Sequence, residues 1–304
     1  MTQIINNVLR LFHLDFPFIF IFNEEKVSPL FLQIITAFLV VLVLFIFFYQ
    51  IISYSESLWV RHISPKPFYL HLYIKKKKLT ADQLYILETE FSFYRNLKSK
   101  QKIYFQHRVA NFMELHQFKG RSGVYVNDKM KILISSTAIM LTFGYRDYMI
   151  NSLSRFIIYP DVFRSKINKA NHKGEFNPAY KAIVFSWKDF MGGYNINNDN
   201  FNLGIHEIVH AMHFDFRKPN NDSISAIIFM HYYKKILKLM QTDTNYRERL
   251  LKSEYIRNYA FTNNFEFIAV LIESFFETPQ EFKSQFPEIY NYVKQMLNFD
   301  LYAY

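Results

Sequence analysis

The chain has 304 residues, half of them apolar, which is enough for a sizeable core and far too apolar for a disordered protein. It contains no cysteine, so disulfides, thiolate ligands and thiol nucleophiles are excluded and any metal site must be built from histidines and carboxylates. The formal charge is +10, and with only 7 glycines and no GxxxxGKS or GxxxxGKT motif a phosphate-cradling loop and nucleotide chemistry are disfavoured. Taken from the N-terminus, a segment 1–29 precedes the uncharged run LFLQIITAFLVVLVLFIFFY, Leu30 to Tyr49. Twenty such residues in a helix rise about 30 Å, one hydrocarbon thickness, and predict a transmembrane helix over 30–52. The run starts too far into the chain for an ordinary cleaved signal peptide, and no A-x-A-like site follows it. The earlier patch 16-FPFIFIF-22 is too short to span and carries a proline, which suits an interfacial position.

Charge is asymmetric about the apolar run. Glu24, Glu25 and Lys26 precede it, whereas Arg61, Lys66 and the run Lys75 to Lys78 follow, so the positive-inside rule places the C-terminal portion in the cytoplasm. Residues 53–79 read as a basic juxtamembrane linker whose lysines face anionic lipid. No nucleic-acid recognition motif accompanies them, and no nucleic-acid partner is expected.

From 80 to 304 the pattern is that of one soluble domain. Helices are predicted from Thr80 to Phe91 and from Ser99 to Glu114. A short strand near Val124 follows, then a helix from Asp128 to Phe143 and strands at 155–160 and 180–187. Further helices are predicted around 206–213 and over 223–240, 264–276 and 287–297. The fold class is α+β, mainly helical with a small sheet.

The stretch 206-HEIVHAMH-213 carries the chemistry. In HExxH on a helix, two histidines four apart lie one turn apart on one side and converge on a single cation, while the glutamate between them reaches a water on that cation without ligating it. His206 and His210 are therefore candidate metal ligands, Glu207 the candidate general base, and zinc the candidate ion. Asn200 or Asn202 can cap the helix. His213 sits about 10 Å along the axis from His206, too far to share the same ion, and reads as structural or supporting.

A third ligand must come from elsewhere. Glu266 and Glu273 lie seven apart in 259-YAFTNNFEFIAVLIESFFETP-279. Glu266 can equally form a capping box with Asn263, and Glu273 can equally face solvent or accept a hydrogen bond from a ligating histidine; spacing does not choose between them.

Several blocks taken together decide more than the motif alone: 128-DKMKILISSTAIMLTFG-144, 156-FIIYPDVF-163, 172-HKGE-175, 183-IVFSWKDFMGG-193, 203-LGIHEIVHAMHFD-215 and 259-YAFTNNFEFIAVLIESFFETPQEF-282. In that order they resemble the Mlc titration factor A family of zinc-dependent peptidases, whose site is similar to that of the anthrax lethal factor protease domain. The resemblance implies a zincin-like metallopeptidase domain, Glu266 as third zinc ligand and Tyr259 as the phenol that stabilises the oxyanion. It implies a peptide or protein substrate and, because some members sequester a transcription repressor, the alternative of a regulatory protein partner. Two departures stand out: His213 occupies a position where members commonly carry an acidic residue, and a membrane anchor is not a general family feature. The strand 180–187 is the candidate edge for pairing with a substrate, an interior position being equally compatible with its composition. In the stretch 172–175, a surface turn with an ion pair is the favoured reading and an approach of His172 and Glu175 to the cleft the alternative.

Overall fold

The uncharged run folds into one helix, α1 (Pro29–His62), the one helix among the described residues long and apolar enough to cross a membrane. The computed structural model describes residues 28–165, 169–195 and 201–300, so the apolar patch 16–22 and the loop residues 196–200 lie outside the described residues. Contacts divide the chain into two compact units, Met1–Ser53 and Tyr54–Tyr304. In the first, the apolar side chains of α1 are exposed.

The second unit begins with the last turns of α1. Glu56 is buried there, accepting from the backbone N–H of Phe68 (2.8 Å) and from Arg146 Nη1 (2.7 Å), which ties the stretch after α1 back onto the domain. Helix α2 (Ala81–Glu90) starts at a capping box between Thr80 and Gln83, the signal legible in its sequence. Helices α3 (Ser92–Arg95) and α4 (Ser99–Leu115) lead into strand β1 (Gln117–Gly120).

The strand expected near Val124 is thus found several residues earlier. The chain turns at Ser122 and Gly123, both at positive φ, and a Cβ on Gly120 would stand 1.9 Å from the Val124 carbonyl oxygen. Val124 is the return arm of that turn, which leaves it no strand partner.

Helix α5 (Asp128–Thr142) is buried on nearly every side, as its run of apolar and small hydroxyl residues requires. It links β1 to β2 (Arg155–Tyr159), which pair in parallel. The hairpin pair β3 (Phe163–Arg164) and β4 (Asn171–His172) stands apart, followed by β5 (Gly174–Asn177) and β6 (Ala182–Ser186). The main sheet has the order β1-β2-β6-β5, with β6 parallel to β2 and β5 antiparallel to β6. The candidate edge strand at 180–187 is therefore interior, its alternate residues Ile183 and Phe185 fully buried, and the edge beside it is β5.

Helices complete the domain: α6 (Trp187–Asn195), α7 (Leu203–Phe216), α8 (Ile224–Thr242), α9 (Thr244–Lys252), a 3-10 turn at Asn258–Thr262, α10 (Asn264–Glu277), α11 (Pro279–Gln285) and α12 (Pro287–Met296). Helix α7 is central, packing against α5, α8, α10, β5 and β6.

One polar group anchors the stretch before α2. Arg108 on α4 is fully buried, donating from Nε to the Tyr73 hydroxyl (2.6 Å), from Nη1 to the Thr142 and Phe143 carbonyls and from Nη2 to the Leu70 carbonyl. Desolvation pulls the guanidinium's pKa down, with the nearby Tyr73 the chief opposing influence. Replacing Arg108 by leucine strands four acceptors without a donor. We expect a loss of about 3 kcal/mol, read as a fall of about 6–12 °C in melting temperature of the full chain in detergent.

Candidate active site

Helix α7 starts where Asn202 Oδ1 accepts from the backbone N–H of Ile205 (3.1 Å), so of the two asparagines considered for this cap Asn202 is the one seen, Asn200 lying outside the described residues. One turn later His206 and His210 present their Nε2 atoms to each other at 3.0 Å. Helix α10 brings Glu266 to the same point, with Oε2 3.0 Å from His206 Nε2 and Oε1 3.4 Å from His210 Nε2. The capping reading of Glu266 is only half realised: Asn263 Oδ1 accepts from its backbone N–H (3.1 Å), while its carboxylate turns to the histidines.

Three donor atoms at tetrahedral angles, about 2.0–2.1 Å from one ion, stand about 3.3 Å apart. The two Nε2 atoms stand 3.0 Å apart, with one Glu266 oxygen 3.0 Å from His206 and the other 3.4 Å from His210, a spacing of the same order. Glu266 Oε2 is buried and makes no hydrogen bond of acceptable geometry, although His206 Nε2 is beside it. The residues fit a small cation with nitrogen and carboxylate ligands.

Glu273 settles which nitrogen of His206 points inward. It is fully buried two turns beyond Glu266, and its oxygens accept from Arg257 Nη2 (2.7 Å) and the backbone N–H of Asn202 (3.0 Å). Its Oε1 also lies 2.6 Å from His206 Nδ1. An ionised carboxylate only accepts, so Nδ1 carries the proton and the Nε2 lone pair faces the cluster. The solvent-facing alternative for Glu273 is excluded.

Electrostatics agree. Burial lowers the pKa of His206, but the neighbouring carboxylates of Glu266 and Glu273 outweigh that and raise it to about 10. Burial likewise pushes Glu266 up, and the two histidines pull it well below the usual carboxylate range. Both shifts reflect the mutual attraction of the imidazoles and the carboxylates packed against them.

Glu207, the next residue on α7, is buried against β5. Burial raises its pKa, while the histidines and a hydrogen bond from the Phe176 backbone oppose that rise. Gly174 permits the approach: a Cβ there would lie 2.6 Å from Leu203 Cδ1 and 2.7 Å from Glu207 Oε1. The stretch 172–175 is thus no surface turn but the backbone wall beside the candidate base; the ion pair found there is Lys173 with Asp189. Tyr259, on the 3-10 turn, is about half exposed, its ring 6.3 Å from that of His206. Burial and then the charge of Glu266 raise its phenol to about 12, so it remains a donor at neutral pH. All five residues singled out in the sequence therefore meet in one place. The acceptor reading of Glu273 is the one realised, whereas Arg257 and Gly174 were not foreseen; of these two only the glycine, one of 7 in the chain, gave a local signal.

With this geometry established, comparison with known proteins becomes informative. A model of the glucose-regulated metallopeptidase M90 family matches residues 68–298. The chain belongs to this family. It is also similar to an uncharacterized protein of Synechocystis, 21% identical across 69% of this chain and 81% of that protein. The M90 match covers every residue of the cluster and stops short of the apolar part of α1.

His213, in this M90 member, does not join the cluster. It is fully buried with neither ring nitrogen hydrogen-bonded, stacked on Phe265 (centroids 4.2 Å) and edge-on to Tyr233. Burial, with Arg217 and His210 adding to it, lowers its pKa to about 3. The ordinary value is about 6.5, so between the two the unfolded chain binds a proton that the folded chain refuses. Stability from this group is complete above pH 6.5 and falls as pH drops towards 3, at up to about 1.4 kcal/mol per pH unit. Unfolding measured from pH 7.5 to 4.5 should show a shallower acid loss in His213→Phe than in wild type; equal slopes would remove His213 as the cause.

Proposed function

We propose that this chain is a membrane-anchored, zinc-dependent peptidase with a zincin-like catalytic domain. The observation that carries the reading is the convergence of His206, His210 and Glu266, sixty residues apart in sequence, with donor atoms within 4.8 Å of one another. Membership of a metallopeptidase family supports the same chemistry. Two imidazoles and one carboxylate favour zinc over the hard oxygen-loving cations, and three protein ligands leave a coordination position open for substrate chemistry.

When bound, the ion supplies Lewis-acid chemistry, making a water acidic near neutral pH and polarising the scissile carbonyl. Glu207 takes the proton of the attacking water, its basicity increased by the burial that β5 imposes. The same carboxyl group then returns a proton to the leaving amine. The Tyr259 phenol, still protonated at neutral pH, donates to the oxyanion. Glu273 and Arg257 keep His206 in the required tautomer.

The substrate is a peptide or protein segment that lies along β5. That strand pairs with β6 on one side only among the described residues, and its Gly174 touches Glu207, so an added strand would run past the base. The apolar run of α1 supports anchoring in a bilayer, and the cations that follow it support a cytoplasmic catalytic domain.

Purified full-length protein should contain one zinc per chain and cleave members of a peptide library. Glu207→Gln should keep its zinc and lose turnover by about 10²–10⁴-fold, whereas Glu266→Ala should lose the metal. Wild type without stoichiometric zinc, or undiminished turnover in Glu207→Gln, would falsify the reading. Negligible turnover by every form, with capture of a repressor unaffected by Glu207→Gln, would favour a regulatory binding protein instead. A separate expectation concerns Glu273→Gln: zinc affinity, measured by chelator competition, should weaken about 10–100-fold.

A further inference from the structure

The domain has a second polar concavity, away from the metal cluster. A cavity of about 500 Å³ opens where the end of α7 meets α8 and the last turn of α1, and it is lined by Arg61, Arg217, Lys218, Lys234, Lys235 and Lys238. One carboxylate, Asp222, shares the lining and is matched by Arg61 at 3.0 Å. Lys218 is held by Asp215 at 2.7 Å. That leaves Arg217 and the three lysines of α8, of which Lys234 and Lys238 stand one turn apart on one face. The guanidinium of Arg217 is seated over Phe265, 4.7 Å from its centroid, and Lys235 over Tyr232 at 5.1 Å. Neither ring supplies a counter-anion.

Four cations beyond those two ion pairs, gathered onto one concave surface, repel one another and favour an anion among them. We propose that this cavity binds a phosphate-bearing anion. Phosphate offers several charged acceptor oxygens at once, which suits a guanidinium fork beside ammonium groups better than a single carboxylate does. His231, also in the lining, is held below the ordinary imidazole range by burial and then by Lys235 and Lys234, in keeping with a positive potential there.

Two sources carry this chemistry, a lipid headgroup and a soluble phosphate. Arg61 lies twelve residues after Tyr49, the last residue of the apolar run, which makes a headgroup of the anchoring bilayer accessible to the same stretch of chain. The inference stands apart from the proposed peptidase activity, since it uses none of the cluster residues.

The test uses the full chain at fixed ionic strength. Its melting temperature is followed during titration with inorganic phosphate in neutral detergent, and compared between nanodiscs of phosphatidylcholine and nanodiscs containing phosphatidylglycerol. A saturable rise is expected, with apparent affinity weakened about tenfold or more in the double variant Lys234→Glu, Lys238→Glu and unchanged within about twofold in Lys100→Glu, Lys119→Glu, two exposed lysines outside the lining. A rise with phosphatidylglycerol alone supports the site and identifies the headgroup as its source; a rise with inorganic phosphate alone supports it with a soluble source. No saturable rise with either, or equal weakening in both double variants, overturns the proposal in favour of diffuse surface charge. Lys234→Gln, Lys238→Gln gives the same reading if charge reversal impairs folding.

Discussion

The carboxylate of Glu273 is the point on which the site depends. A buried carboxylate is costly unless each oxygen is hydrogen-bonded. Here Oε1 faces His206 Nδ1 and Arg257 Nη2, and Oε2 accepts from the Asn202 backbone. Those partners come from the catalytic helix, from its cap and from the segment that leads to Tyr259. One charge therefore fixes α7 against α10 and orients the turn that carries the phenol. Displace Glu273 and three things fail together: the His206 tautomer, the start of α7 and the seat of Arg257. Packing of the apolar faces, such as Ile208 and Met212 on α7 and Ile268 to Ile272 on α10, holds the helices together but cannot by itself choose this rotation about their axes.

Helix α7 serves two surroundings along its length. Its first two turns carry His206, Glu207 and His210 towards the cluster, and its last turns carry His213, Phe216 and Arg217 into an aromatic layer with Phe229, Tyr233 and Phe265. His213 belongs to that layer because the helix has risen about 10 Å from His206 by then. The ring functions there as a flat, neutral hydrophobe. Phe265 touches both surroundings, stacking on His213 while its neighbour Glu266 reaches the histidines.

Much of this was legible where the controlling physics is local. The spacing of HExxH and the apolar run of α1 are statements about a few consecutive residues, and the structure carries both as helices. Glu266 was different: its spacing fitted a cap as well as a ligand, and only the family resemblance separated the two. Strand β5 was not legible, because GEFN has neither alternation nor β-branched residues and owes its strand conformation to pairing with β6. Helix α6 was overlooked despite a usable signal: in 186-SWKD-189 the Ser186 hydroxyl accepts from the Asp189 backbone and donates to its side chain. The prolines that open α11 and α12 carried comparable information, absorbed for α12 and missed for α11.

Charge balance gives the strongest argument about what the site holds. Glu207, Glu266 and Glu273 converge on the two histidines, and Arg257 is the guanidinium bonded to this group. Three carboxylates against one guanidinium leave two negative charges in a largely buried pocket, if both imidazoles are neutral. Protons relieve part of that imbalance by charging His206, in keeping with its raised pKa, or by neutralising Glu207, whose pKa burial also raises. Either outcome removes a group the chemistry needs, the first a lone pair and the second a base. A single divalent cation balances the charge while leaving both intact. The spacing of the donor atoms and this charge count thus favour the same occupant.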